Sequence, residues 1–106
     1  MKKNPDITIL MSVRDGELFI KEAVSSILNQ TYTNFILLIV DNASTDKTRS
    51  IIKDFKDPRI QLVELSNDIG QASALNKGLS MIKTEFIARM DADDISVDDR
   101  LNKQRA

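Results

Sequence analysis

The chain contains neither cysteine nor histidine. Their absence excludes disulfides, zinc sites of the thiolate or imidazole kind, and any catalytic triad built on histidine. A metal bound here must be held mainly by oxygen atoms, which favours Mg2+, Mn2+ or Ca2+. There is no tryptophan, and only one tyrosine and four phenylalanines are present. That is a poor supply of stacking surface for a free-standing carbohydrate-binding module. Net charge is −1, so no basic field exists to hold nucleic acid or an anionic membrane by charge alone. No apolar run approaches the length of a membrane span, and the opening MKKNPDITIL lacks an adequate apolar core for a signal peptide. A cytoplasmic compartment fits this pattern, with the parent protein either free or peripheral at the cytoplasmic membrane face.

What is present has an ordinary globular balance, 42% hydrophobic and 29% charged over 106 residues, the size of one domain spanning 1–106. Ile7 to Val13 is a mostly apolar run of strand length, closed by the turn signal Arg14-Asp15-Gly16. From Glu17 the period changes: Ile20, Ala23, Val24, Ile27 and Leu28 share one face of a helix. Phe35 to Val40 is continuously apolar, as a strand buried on both faces requires. Asp41 ends it, and Ser44 or Asp46 is placed to cap a helix through Phe55 with Ile51, Ile52 and Phe55 inward. Ile60 to Leu65 reads as a third strand, and Asn67 to Gly70 as a turn. Ala72, Leu75, Leu79 and Ile82 mark a third helix, Phe86 to Met90 a fourth strand, and Asp98 or Asp99 the start of a fourth helix. Alternating strands and helices with short connections predict an α/β fold: a Rossmann-like, mostly parallel sheet with flanking helices. The last helix stops without a cap or a return strand, so the chain is expected to be the N-terminal piece of a longer protein. An open edge or apolar face on such a piece makes self-association an expectation as well.

In such a sheet, ligands bind beyond the carboxyl ends of the strands, near the point where strand order reverses. Three of the four expected strands end in acidic residues: Arg14-Asp15, Asp41, and Asp91-Ala92-Asp93-Asp94. Carboxylates this close repel one another unless a cation or a solvated turn relieves them. With twelve aspartates in the chain, about one D-x-D arises by chance, so the motif alone means little. Asp46, Asp98 and Asp99 are read as helix caps, since Asp favours loops after strands. Asp41 and Asp93 are read as functional. Asp41 stands on the end of a six-residue apolar run, where desolvation is costly without a partner.

Taken together, Ser26 to Tyr32, Val40 to Asp46, Asn67 to Gly70, Ala74 to Gly78 and Asp91 to Asp94 resemble the N-terminal half of a family 2 glycosyltransferase of the GT-A fold. The resemblance spans almost the whole chain, in order and spacing as well as residue type. It implies transfer of a sugar, with inversion, from a nucleotide-diphosphate sugar, most often UDP-linked. The acceptor hydroxyl would belong to a saccharide or a lipid-linked acceptor, and the setting would be bacterial cell-surface polysaccharide synthesis. It places Asp41 at uracil N3, Asp91 near the ribose, and Asp93 with Asp91 on a Mn2+ or Mg2+ ion. Val13, Arg14, Asp15, Glu17, Asn76 and Ala92 fall in segments lying against the nucleotide. The chain departs from the pattern at Ser12 and Arg14, where Pro and Tyr are frequent, and at Asp15, where Asn is. It departs again at Asn42, where a second Asp is common, and at Leu75, where an Arg often stands. An Arg14 plane can replace an aromatic partner for the base, and Lys77 can replace the missing Arg.

The chemistry favours a cation independently, because breaking a sugar–phosphate bond leaves a diphosphate of growing charge that a carboxylate-held ion stabilises. The acceptor also needs a base, which relatives supply from beyond residue 106. Glu17, Glu22, Glu64 and Glu85 read as turn, helix or strand-edge residues, and none is assigned that role. Ser44-Thr45-Asp46 reads as a helix cap before a phosphate cradle. Lys2-Lys3 and Lys47 with Arg49 read as solvated faces. Tyr32 reads as packing at the end of the first helix, and Met81 and Met90 as core filling. A sugar nucleotidyltransferase would want a Gly-rich basic loop after the first strand, of which Arg14-Asp15-Gly16 is a poor version. A receiver-like module would want paired acids there. A fragment that binds a nucleotide or metal without catalysis is the remaining alternative.

Overall fold

Strand β1 (Ile7–Val13) lies inside the sheet because its two neighbours bury both of its edges. The computed structural model describes residues 5–90; Lys2, Lys3, Asp91 to Asp94 and the helix expected from Asp98 or Asp99 lie outside them. After β1 come α1 (Ile20–Leu28), β2 (Phe35–Asn42), α2 (Thr48–Asp54), β3 (Ile60–Leu65), α3 (Gln71–Met81) and β4 (Phe86–Arg89). All pairings are parallel and the order is β3-β2-β1-β4. The strand order therefore reverses at β1, with β2 on one side and β4 on the other. The register sets Val13 beside Asp41 and Asp41 beside Glu64, so the carboxyl ends of β1, β2 and β3 share one rim.

Strand alternation divides the core between two faces. One face joins Ile9, Met11, Leu37 and Ile39 to Ile20, Ala23, Val24 and Ile27 of α1 and Ile52 of α2, all buried. The other joins Leu10, Leu38 and Val40 to Ala74 and Leu75 of α3. The apolar face expected of α1 is the one buried. That of α3 is rotated: Ala74, Leu75 and Gly78 are buried, whereas Leu79 is 44% exposed. The cause is Gly78. A Cβ there would stand 2.5 Å from Leu10 Cδ1 and 3.1 Å from Val40 Cγ2, so the bare backbone lets the helix sit close on β1 and β2. Met81 is 46% exposed rather than core, while Met90 is buried. Tyr32 packs against the first face as expected, and its hydroxyl donates to Asp6 at 2.8 Å. Strand β4 forms an edge among the described residues, and Phe86 and Ile87 on it are substantially exposed.

Candidate nucleotide site

The loops after β1, β2 and β3 are joined to one another by side chains, mostly carboxylates meeting backbone N–H groups. Asp15 has φ 54 and Ala43 φ 58, left-handed conformations that disfavour side chains other than Asn, Asp and Gly. Local bonds hold the first of these in place. The Asp15 N–H donates to Ser44 Oγ at 2.9 Å, and Asp15 Oδ1 accepts the Thr45 N–H at 2.6 Å. The Gly16 N–H donates to Thr48 Oγ1 at 2.8 Å and the Glu17 N–H to Asp46 Oδ2 at 3.1 Å. Glu17 answers by accepting the Lys47 N–H at 3.4 Å. Asp46 also accepts the Thr48 N–H at 2.9 Å and the Thr48 hydroxyl. Helix α2 is assigned from Thr48, and Lys47 at its N-cap makes no side-chain bond. Asp46 thus serves the helix start as expected and ties it to the first loop besides. Burial opposes the charge on Asp46, but these donors, together with its own backbone N–H, outweigh it and hold the carboxyl below its ordinary 3.8.

Asp41 is completely buried. Its Oδ1 accepts the Ser44 hydroxyl at 2.5 Å, and its Oδ2 accepts the Ser44 N–H at 3.2 Å and the Arg49 Nε–H. Arg49 is therefore no free solvated charge. Its Nη2 donates to the Leu65 carbonyl at 2.5 Å, and the Asp41 bond, with the Asp41 and Glu64 charges, raises its pKa against the cost of burial. Lys47, read with it as solvated, is exposed.

Asn42 ties in the third loop. Its amide donates to Asp68 Oδ1 at 2.8 Å and its Oδ1 accepts the Ile69 N–H at 3.0 Å. Asp68 also accepts the Gly70 N–H at 2.9 Å, and its carboxyl is lowered first by that bond and then by Asn42. Arg14 spans the rim, with Nε 3.3 Å from Asp68 Oδ2 and Nη1 3.3 Å from Asp15 Oδ2. Its side chain stays 44% exposed.

The structure therefore brings Arg14, Asp15, Glu17 and Asp41 to one rim, with the Val13 side chain turned into the core so that only its main chain faces the rim. Asn76 lies apart, beside a cleft of about 500 Å3 between α3 and β4 that Gln71, Leu79, Ile87 and Arg89 also line. Gly78, from the same motif, packs on the sheet. Asp91, Ala92 and Asp93 lie outside the described residues and follow Met90, whose N–H donates to the Leu10 carbonyl at 3.0 Å. Sequence reasoning missed Ser44, Arg49, Thr48 and Asp68 as the residues joining the loops. A hint existed for Arg49: a buried Asp41 needed a partner, and Arg49 is the first arginine after it.

A parallel sheet with its order reversing at β1 and a polar rim beyond the strand ends defines a nucleotide-binding class of α/β domain. The chain belongs to glycosyl transferase family 2, whose family model matches residues 8–106. An uncharacterized glycosyltransferase of Haemophilus influenzae is 37% identical over 102 residues, covering 94% of this chain and 41% of that protein. The Escherichia coli UDP-Glc:alpha-D-GlcNAc-diphosphoundecaprenol beta-1,3-glucosyltransferase WfgD is 38% identical over 98 residues, covering 92% and 39%. Among solved structures, the mannosyltransferase PcManGT from Pyrobaculum calidifontis, in complex with GDP-Man and Mn2+, superposes with a TM-score of 0.84. It is 29% identical and the match covers 93% of this chain and 31% of that one. The fold is thus the GT-A fold, and the chain spans about two fifths of the length of these curated relatives.

Proposed function

We propose that this chain is the nucleotide-sugar-binding part of an inverting glycosyltransferase that moves a sugar from a UDP-linked donor to an acceptor hydroxyl in cell-surface polysaccharide synthesis. The observation carrying this reading is the family match over 8–106 together with a rim on which Arg14, Asp15 and Asp41 meet at the strand ends. UDP is favoured over GDP because the relative whose name carries UDP-Glc is 38% identical, against 29% for the GDP-Man complex. In this reading Asp41, completely buried here, meets the base once the Ser44 side chain moves off Oδ1, and the half-exposed Arg14 side chain lies against the ring. Asp91 and Asp93 hold Mg2+ or Mn2+; a donor set of carboxylates in a chain without Cys or His suits a hard cation. When bound, the ion neutralises the charge growing on the departing diphosphate. The acceptor is a saccharide or lipid-linked saccharide, the base comes from beyond residue 106, and the site of action is the cytoplasm or its membrane face.

Calorimetric titration of UDP with and without Mn2+, beside GDP and the Asp93→Ala variant, tests this. Metal-dependent UDP binding that Asp93→Ala abolishes is the expected result. UDP binding that ignores both the metal and Asp93 would remove the D-x-D from the reading.

A further inference from the structure

We propose that β4 is a self-pairing edge, through which two copies of this chain join antiparallel in a register centred on Ile87. The two four-stranded sheets then become one continuous sheet about a two-fold axis. The inference is independent of the donor reading.

The backbone of β4 meets β1 on one side. The Phe86 N–H donates to the Asp6 carbonyl at 2.9 Å and the Met90 N–H to the Leu10 carbonyl at 3.0 Å. A parallel ladder uses alternate residues of each strand, so these positions turn toward β1 and the backbone groups of Ile87 and Arg89 point away from it. Among the described residues no strand pairs on that outer side. Such an edge is a template for another strand. Its apolar side chains are exposed too, Phe86 to 39% and Ile87 to 48%.

The occupant is a second copy because the edge is self-complementary about Ile87. Glu85 stands two residues before it and Arg89 two residues after, both exposed. Spacing of two puts all three side chains on one face. In a two-fold antiparallel pair, the residue two before the axis lies opposite the residue two after it. Glu85 of each copy therefore faces Arg89 of the other, and opposite charges so placed favour the register. Ile87 meets Ile87 at the axis, where the outward N–H and C=O groups of each copy exchange bonds. Leu79 of α3, 44% exposed, lines the same cleft as Ile87 and adds apolar surface on that face. On the opposite face Phe86 stands over the small Ala88 of the other copy. A register shifted by one residue loses both ion pairs and sets Arg89 against Phe86. The outer strand β3 offers no equivalent: Glu64 is its only charge, and Lys53 already binds it at 2.9 Å. Because the paired strands run in opposite directions, the two loop rims lie at opposite ends of the joined sheet and neither covers the other.

Analytical ultracentrifugation of the full chain over a concentration series tests this, with circular dichroism to follow folding. The mass should rise from 11.9 kDa toward twice that value. Ile87→Lys, an exposed substitution on the edge, should abolish the rise. Glu85→Arg and Arg89→Glu should each weaken association at least about tenfold, since either one sets like charges opposite each other at both symmetric places. An equimolar mixture of these two variants should associate again, because every facing pair in the mixed dimer is of opposite sign. If Ile87→Lys does not fold, the mixture decides. A monomer at every concentration up to about 1 mM would overturn the proposal and point to cover from within the chain. A dimer that Ile87→Lys leaves intact would overturn it by placing the contact elsewhere. Two weakened charge variants that fail to rescue each other would also overturn it, since Glu85 and Arg89 would then not face one another. None of these readouts uses a nucleotide, so failure of the donor reading leaves them unchanged.

Discussion

At the scale of single residues, the rim is held by carboxylates whose partners are backbone N–H groups, and this makes its stability depend on acid. Asp46 has a folded value below 3.8, so the folded state binds fewer protons than the unfolded state between the two values. Its contribution is therefore present above 3.8 and is lost as pH falls through the folded value. Asp68 is shifted in the same direction and adds to the same window. Asp46→Ala should lower stability by about 1–2 kcal/mol near neutrality, through the loss of a helix-start acceptor that also serves Glu17. The same variant should show a shallower loss between about pH 5 and pH 3. Urea midpoints at the two pH values measure both effects, and equal acid slopes in the two proteins would remove Asp46 from the account. Asp41 was legible as a carboxylate that needs a partner, and Asp46 as a residue at a helix start. Their partners were not, because a charge run such as Lys47 to Arg49 shows no sign of which member folds back onto a strand end.

At the scale of elements, the strands were readable almost to the residue: β1 and β3 coincide with the apolar runs, and β2 extends past Val40 by Asp41 and Asn42. Continuous apolar runs show clearly because both faces of a parallel sheet are covered. Helix α3 was legible in place and only in part in rotation. Of the expected face of Ala72, Leu75, Leu79 and Ile82, Leu75 is buried and Ile82 packs on the core. Ala72 and Leu79 are exposed, and the fold uses the small residues Ala74 and Gly78 to bring the axis close to Leu10 and Val40. Periodicity weighs side chains and gives glycine no vote, although glycine can decide the approach. Gly78→Ala gains about 1 kcal/mol of helix propensity. It also sets a Cβ 2.5 Å from buried Leu10 and 3.1 Å from the branched Val40, an overpacking that costs about 1–3 kcal/mol. A net loss of about 1 kcal/mol is expected by chemical denaturation; a gain would mean that Leu10 swings aside freely. Ile52→Ala, which removes a fully buried contact between α2 and the sheet, should cost about 2–5 kcal/mol and serves as the scale for the comparison.

At the scale of the whole molecule, charge separates folding from binding. The chain carries a net −1, and the rim concentrates Asp15, Glu17, Asp41, Asp46 and Asp68 against Arg14 and Arg49. Those acids are consumed by N–H groups and arginines, and among the described residues no cluster of three acidic side chains is set to hold a cation. A nucleoside diphosphate brought to this rim meets negative charge at close range, and the two arginines at the rim, Arg14 and Arg49, are already engaged by Asp15, Asp68 and Asp41. In the proposed reading attraction comes from an added cation, for which the candidate ligands Asp91 and Asp93 follow β4 in the sequence. Chelation should thus split the two properties. With EDTA in excess, UDP affinity should fall at least about a hundredfold, while the Tm of the nucleotide-free chain should move by no more than about 1 °C. Calorimetry and a thermal melt on one sample measure both. A Tm that collapsed with the metal would mean that the cation is part of the fold. An affinity that survived chelation would mean that Arg14 or Arg49 leaves its carboxylate to meet the phosphates.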